Sequence, residues 1–101
     1  MPAYLILNYQ IDDEALFREY QKESTETVLA AVSDILVYQP ETEILEGENI
    51  GHQTIVFTFE SMEKAKDFYH SETYQEMTKK RLKATSKHFA VLVPENTTVG
   101  K

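Results

Sequence analysis

The sequence predicts an α+β fold in which four strands form one antiparallel sheet with helices over one face, in the order β-α-β-β-α-β. Three observations predict it. Residues 53–60, QTIVFTFE, alternate between two parities, with Ile55, Phe57 and Phe59 on one side and Thr54, Val56 and Thr58 on the other, as a strand in a sheet must. Phe17, Tyr20, Ser24, Thr27 or Val28, and Ala31 recur at three-to-four spacing, which lines up one side of a helix. Ser61 and Ser71, ten positions apart, are both good helix-opening residues, so the second helical segment is read as broken in two.

The elements follow in order. Residues 3–10, AYLILNYQ, are rich in strand formers, and one parity (Ala3, Leu5, Leu7, Tyr9) is wholly apolar. Asp12 or Asp13 accepts the orphan N–H groups of a first helix of about five turns, and Glu14 suits its positive end. Arg18, Glu19, Lys22, Glu23 and Glu26 form its solvated stripe. Ser33-Asp34 ends the helix, and Ile35 to Tyr38 is a strand. Pro40 marks a bulge or an edge because it cannot donate to a ladder, and Thr42 to Leu45 is read as continuing the strand beyond it. Glu41, Glu43, Glu46 and Glu48 are charges that protect an edge strand. Gly47, Asn49 and Gly51 punctuate the turn before the third strand. Past it, Met62, Ala65 and Phe68 or Tyr69 make one apolar stripe, while Tyr74, Met77 and Thr78 or Arg81 carry the inner side of the next helix. His88 to Val93 is the last strand, stopped by Pro94. The chain is read as a single domain over 1–101, with 96–101 as a loose tail.

This order is the ferredoxin-like, split βαβ pattern, a sandwich of one antiparallel sheet and its helices. If the wholly apolar parity of the first strand packs on the helices, the other face carries Tyr4, Ile6, Asn8, Leu36, Tyr38, Val56, Thr58, Ala90 and Leu92. A solvated sheet face normally reads as polar, and this one does not. A second copy of the same sheet covers it by two-fold symmetry, so a homodimer through the sheet faces is expected. The mixture of Tyr, Asn, Thr and His among aliphatics also suits a partly filled pocket.

Composition excludes several classes. There is no cysteine, which removes disulfides, thiolate chemistry and zinc–thiolate sites and fits a reducing, cytoplasmic setting. Seventeen acidic residues against ten basic ones give a net charge of −7, which opposes binding to nucleic acid. The N-terminus, Met1-Pro2-Ala3-Tyr4, has neither a basic region nor a long apolar run, so no signal peptide and no membrane span are expected. His52, His70 and His88 stand eighteen positions apart without the spacing of a metal site, so no metal and no cofactor are expected.

Ala3-Tyr4 with the aliphatics after it, Leu45-Glu46-Gly47, the run Phe59 to Ala65, the run Phe68 to Gln75 and Arg81 resemble the family called domain of unknown function 1330. The resemblance extends from Ala3 to about Glu95, and its most specific part is Phe68-Tyr69-His70-Ser71-Glu72-Thr73-Tyr74-Gln75. It implies membership of the dimeric α/β-barrel superfamily: a ferredoxin-like protomer, a homodimer with sheets face to face, and a cleft in each protomer. It implies no established reaction. The chain departs from the family pattern in Val32 to Pro40, where relatives tend to show glycines and a basic residue, in Glu72, where a proline is usual, and in Val93-Pro94-Glu95 at the close.

Seven residues are candidates for a ligand site. Tyr69 and Tyr74 flank the helix break and could line a pocket or donate to an acidic ligand, although aromatics at helical spacing are more often core. His70 at the end of a helix complements its dipole, or serves as a general base or haem ligand. His88 shares the parity of Ala90 and Leu92, and Asn8 and Tyr38 are polar groups assigned to the mixed face. Arg81 lies in a basic cluster with Lys79, Lys80, Lys83 and Lys87 but aligns with the inner stripe, where its guanidinium could hold a carboxylate or phosphate. Two functions remain: a dimer binding a small apolar or acidic molecule in a cleft between sheet and helices, or a cofactor-free monooxygenase or isomerase using a cleft His or Tyr for proton transfer.

Overall fold

The structure, a computed structural model, describes residues 1–95; the expected tail at 96–101 lies outside them. Its elements are β1 (Ala3–Ile11), α1 (Glu14–Ala31), β2 (Asp34–Gln39), β3 (Gln53–Phe59), α2 (Met62–Tyr69), α3 (Glu72–Ala84) and β4 (Thr85–Pro94). The sheet order is β2-β3-β1-β4, and every neighbouring pair is antiparallel. Each helical crossover therefore joins two parallel strands with a third strand between them, which is the split βαβ arrangement of the ferredoxin-like fold.

Short polar side chains open each helix. Asp13 caps α1 by accepting from Leu16 N (3.0 Å), and Ser61 caps α2 by accepting from Lys64 N (3.1 Å). Ser71 does two tasks: its hydroxyl donates to the Phe68 carbonyl at the end of α2 and accepts from Tyr74 N at the start of α3. One serine thus satisfies an orphan acceptor and an orphan donor, so the chain can turn between two helices at little cost.

The core lies between the helices and one face of the sheet. Ala3, Leu5, Leu7 and Tyr9 of β1 and Ile55, Phe57 and Phe59 of β3 are all buried. Their register pairs Leu5 with Phe57 and Leu7 with Ile55, and Phe17, Tyr20, Val28, Ala65, Phe68 and Tyr74 close over them from the helices.

The outer strands correct the expected parities. Ala90 and Leu92 pair with Leu7 and Leu5, so they stand on the helix-covered side, while Phe89, Val91 and Val93 pair with Asn8, Ile6 and Tyr4 and occupy the open face. In β2 the register shifts between Ile35 and Val37, which places Val37 opposite Val56 and turns Tyr38 back opposite Ile55, onto the helix side. Tyr38 is therefore not on the open face. Both strands are apolar at odd and even positions alike, so neither carries an alternation to fix its phase, and a bulge flips whatever follows it. A second irregularity sets Lys87 and His88 of β4 against β1 between Asn8 and Gln10, with Lys87 in the left-handed region (φ 52°). His88 is exposed there. Residues 42–45 form no strand: β2 stops at Gln39, before Pro40, and the connection to β3 is tied by Thr42 N donating to His52 O (3.1 Å). The glutamates at 41, 43, 46 and 48 belong to that connection and not to an edge strand.

Candidate functional site

A cleft of about 500 Å³ opens between α1 and the β2–β3 side of the sheet. Its floor is Leu7, Tyr9, Ile55 and Phe57 from the central strands, and Ile35 and Tyr38 come from β2. Its wall is one side of α1, from Arg18 and Tyr20 through Ser24 and Val28 to Leu29. The α2–α3 pair reaches β4 and the central strands, and α3 packs on α1; residues of α1 form the wall opposite β2 and β3. Gln21 Nε2 donates to Tyr38 Oη across the cleft (2.5 Å), joining helix to edge strand.

Aromatic hydroxyls and one guanidinium gather at the inner end. The Tyr20 and Tyr74 hydroxyls are 3.3 Å apart, and the Arg81 guanidinium carbon lies 5.5 Å from the centroid of the Tyr9 ring, a cation–π contact. Arg81 is only 2% exposed and makes no ion pair among the described residues. Burial pushes the Tyr9 and Tyr74 phenols well above the usual tyrosine range, and neighbouring phenols add to it, so both stay protonated near neutral pH. Burial raises Tyr38 as well. Among the described residues, three buried polar atoms have no partner: Tyr9 Oη, Gln53 Nε2 and Arg81 Nε. Gln53 faces Tyr9 directly across the β1–β3 ladder.

The seven candidates from the sequence fall in different places. Tyr38 lines the cleft, with Tyr74 and Arg81 behind Tyr20 and Tyr9. Tyr69 and His70 border a smaller hollow of about 220 Å³ beside β4, together with Lys66, Ala90 and Leu92. His70 is exposed at the end of α2, and its N–H donates to the carbonyl of Lys66. Asn8 points to the open face, where its amide is fully engaged: Nδ2 donates to Gly51 O (3.1 Å) and Thr54 Oγ1 (3.0 Å), and Oδ1 accepts from Gly51 N (2.7 Å). That side chain clamps the chain at Gly51, where an added Cβ would sit 2.0 Å from the Tyr9 carbonyl carbon, so the close approach requires glycine. Among the described residues, no three His, Cys, Asp or Glu side chains are grouped to hold a metal, and no helix is long and apolar enough to cross a membrane.

Tyr9, Tyr20, Gln21 and Gln53 are the site residues that sequence reasoning missed. Tyr9 and Tyr20 were counted as core, and a phenol on a wholly apolar parity is the signal that could have found them, since a buried hydroxyl needs a partner.

The model of the family described as "Domain of unknown function (DUF1330)" matches residues 2–95. The chain belongs to the DUF1330 family. Comparison with curated proteins gives no match. Among solved structures, a protein of unknown function from Rhodopseudomonas palustris superposes with a TM-score of 0.74 at 11% identity, covering 96% of this chain and 84% of its own. A dimeric ferredoxin-like protein of unknown function from Jannaschia sp. CCS1 gives 0.68 at 8% identity, covering 94% and 100%. A Caulobacter crescentus CB15 protein, provisionally assigned as an antibiotic biosynthesis monooxygenase, gives 0.60 at 14% identity, covering 95% and 91%. At such identities the DUF1330 chain shares the fold with these proteins and nothing finer is read from them.

Proposed function

We propose that this DUF1330 protein binds a small, largely apolar molecule in the cleft between α1 and the sheet, and works as a homodimer whose sheets pack face to face. The observation that carries the binding reading is the cleft itself. Its volume of about 500 Å³ is that of a small-molecule site, and aliphatic and aromatic side chains dominate its lining, with a few hydroxyls and amides to orient an occupant. The dimer reading is supported by the open face, where Phe89 is 41% and Val91 44% exposed beside Ile6 and Val56, and by the dimeric description of the Jannaschia protein. The cysteine-free sequence suits the cytoplasm.

Binding is preferred to proton-transfer catalysis on chemical grounds. The cleft lining contains no histidine, aspartate or glutamate among the described residues, and its phenols Tyr9 and Tyr38 are shifted away from neutrality by burial, as is Tyr74 behind them. Such hydroxyls donate hydrogen bonds well and accept protons poorly at physiological pH. The experiment is fluorescence titration with Nile red, a neutral apolar probe. Saturable enhancement is expected in the wild type, and Thr25→Trp, which fills the cleft mouth from an exposed position of α1, should abolish it. Equal enhancement in that variant would place the probe elsewhere and remove the cleft as the site.

A further inference from the structure

One side-chain hydrogen bond crosses the cleft. Tyr38 on the edge strand and Gln21 on α1 both line it, and their bond lies in an exposed position, within reach of an occupant. Between them they hold three donor hydrogens, one on the phenol and two on the amide nitrogen. Their mutual bond uses one, and neither side chain has another partner among the described residues. Burial raises the Tyr38 phenol above its ordinary value, so its proton is in place at neutral pH. Two donors are therefore available side by side at the rim of an apolar floor made by Leu7, Ile55 and Phe57. The neighbouring Thr25 hydroxyl already donates to the Gln21 carbonyl. Charges do not take the role. The described lining has no acidic side chain, Arg18 pairs with Glu14 at 3.6 Å, and Lys22 is exposed on α1. Tyr9 Oη, buried without a partner, is sealed from an occupant.

We propose that the occupant of the cleft is a neutral molecule, an apolar body bearing one carbonyl group, whose oxygen accepts from Tyr38 and Gln21. This rests on the reading of the cleft as a binding site and names the chemical class of its ligand. A carbonyl oxygen has two lone pairs and no hydrogen to donate, so it takes both available donors. A carboxylate would set a net charge against aliphatic and aromatic walls with only the exposed Lys22 to answer it, and losing its water there is costly. The apolar body lies along Val28, Ile35 and Ile55, and the carbonyl stays at the bridge between α1 and β2.

The test is displacement of bound Nile red by 2-acetylnaphthalene and 2-isopropenylnaphthalene, which share a shape and differ in a carbonyl oxygen against a methylene group. Both are titrated into the wild type and into Tyr38→Phe/Gln21→Leu, with the Nile red affinity determined afresh in each protein. Comparing the ratio of the two ligands across the two proteins cancels their different hydration. The wild type should favour the ketone over the alkene about fivefold more than the variant does, as one hydrogen bond supplies. Tyr38→Phe alone should shift the ratio in the same direction, and it decides the matter where the double variant does not fold. 2-Naphthoate, the anion on the same ring, should displace the probe less tightly than the ketone. An unchanged ratio, tighter displacement by 2-naphthoate, or displacement by none of the three while Nile red binds, overturns the neutral carbonyl class and leaves the cleft reading standing. Failure of Nile red itself to bind removes the cleft reading and this inference with it.

Discussion

The two faces of the sheet are made by the same strands and have opposite fates. Leu5 and Ile6 are adjacent in β1: Leu5 is sealed under the helices at 1% exposure, and Ile6 faces outward between Val56 and Val91. Hydrophobicity does not distinguish them. Cover does: the helices of this chain bury one side, and the other side presents valines and Phe89 with no element of the described residues over them. The difference teaches that the fold supplies one complete core and one half of another, and a free-energy gain proportional to area remains available to whatever closes the second half.

Leu5→Ala should have the largest effect on this contrast. It removes packing against Phe57 and Leu92 and should cost about 3 kcal/mol in urea denaturation. A loss below about 1 kcal/mol would mean that the helix side is not the load-carrying core. Asn8→Ala comes next, because it strips both hydrogen bonds that hold Gly51 and leaves that buried peptide unpaired, at about 2 kcal/mol by the same measurement. Asn8 lies on the open face, so an effect this large there would show a structural clamp at work. No effect would leave its amide free for a ligand.

Alkaline titration probes the helix side in another way. The Tyr9 and Tyr74 pKa values are raised in the folded state above the ordinary value of 10.0, so the unfolded chain loses these protons first. Stability should hold up to about pH 10 and fall as pH rises beyond it. Denaturation between pH 8 and 12 should show that decline, and Phe at both positions should flatten it. A wild-type curve flat through this window would mean that the phenols are not buried as described. The smallest effect on protomer stability belongs to Val91→Asp on the open face, about 0.5 kcal/mol or less in dilute protein. Its consequence is for assembly: sedimentation velocity should give a dimer for the wild type and a monomer for the variant. A wild-type monomer at micromolar concentration would sink the dimer proposal.

The legible part of the fold was the part with strong local signals. The three-to-four spacing in residues 14–31 and the caps at Ser61 and Ser71 reproduce α1, α2 and α3 closely, because helix periodicity and capping act within a few residues. The alternation of β3 and the wholly apolar parity of β1 correctly told which of their residues face the helices. Ile35-Leu36-Val37-Tyr38 and Phe89-Ala90-Val91-Leu92-Val93 carry no such contrast, and their assumed faces were reversed from Val37 onward in β2 and throughout the described pairing of β4 with β1. The candidate site suffered from the same limit. Tyr38 stands in the cleft because of a bulge that no local pattern announces, and Tyr9 and Gln53 meet across a ladder between residues distant in the chain.

What the sequence determined by itself, then, was the set of elements, their order and the phase of the two central strands, since each depends on residues a few positions apart and on the period of a helix or a strand. Only the tertiary structure decided the phase of the edge strands, the gathering of Tyr9, Tyr20, Tyr74 and Arg81, and the position of the cleft. Those depend on register, and register is fixed by pairing between distant segments, where one inserted residue exchanges the inside for the outside.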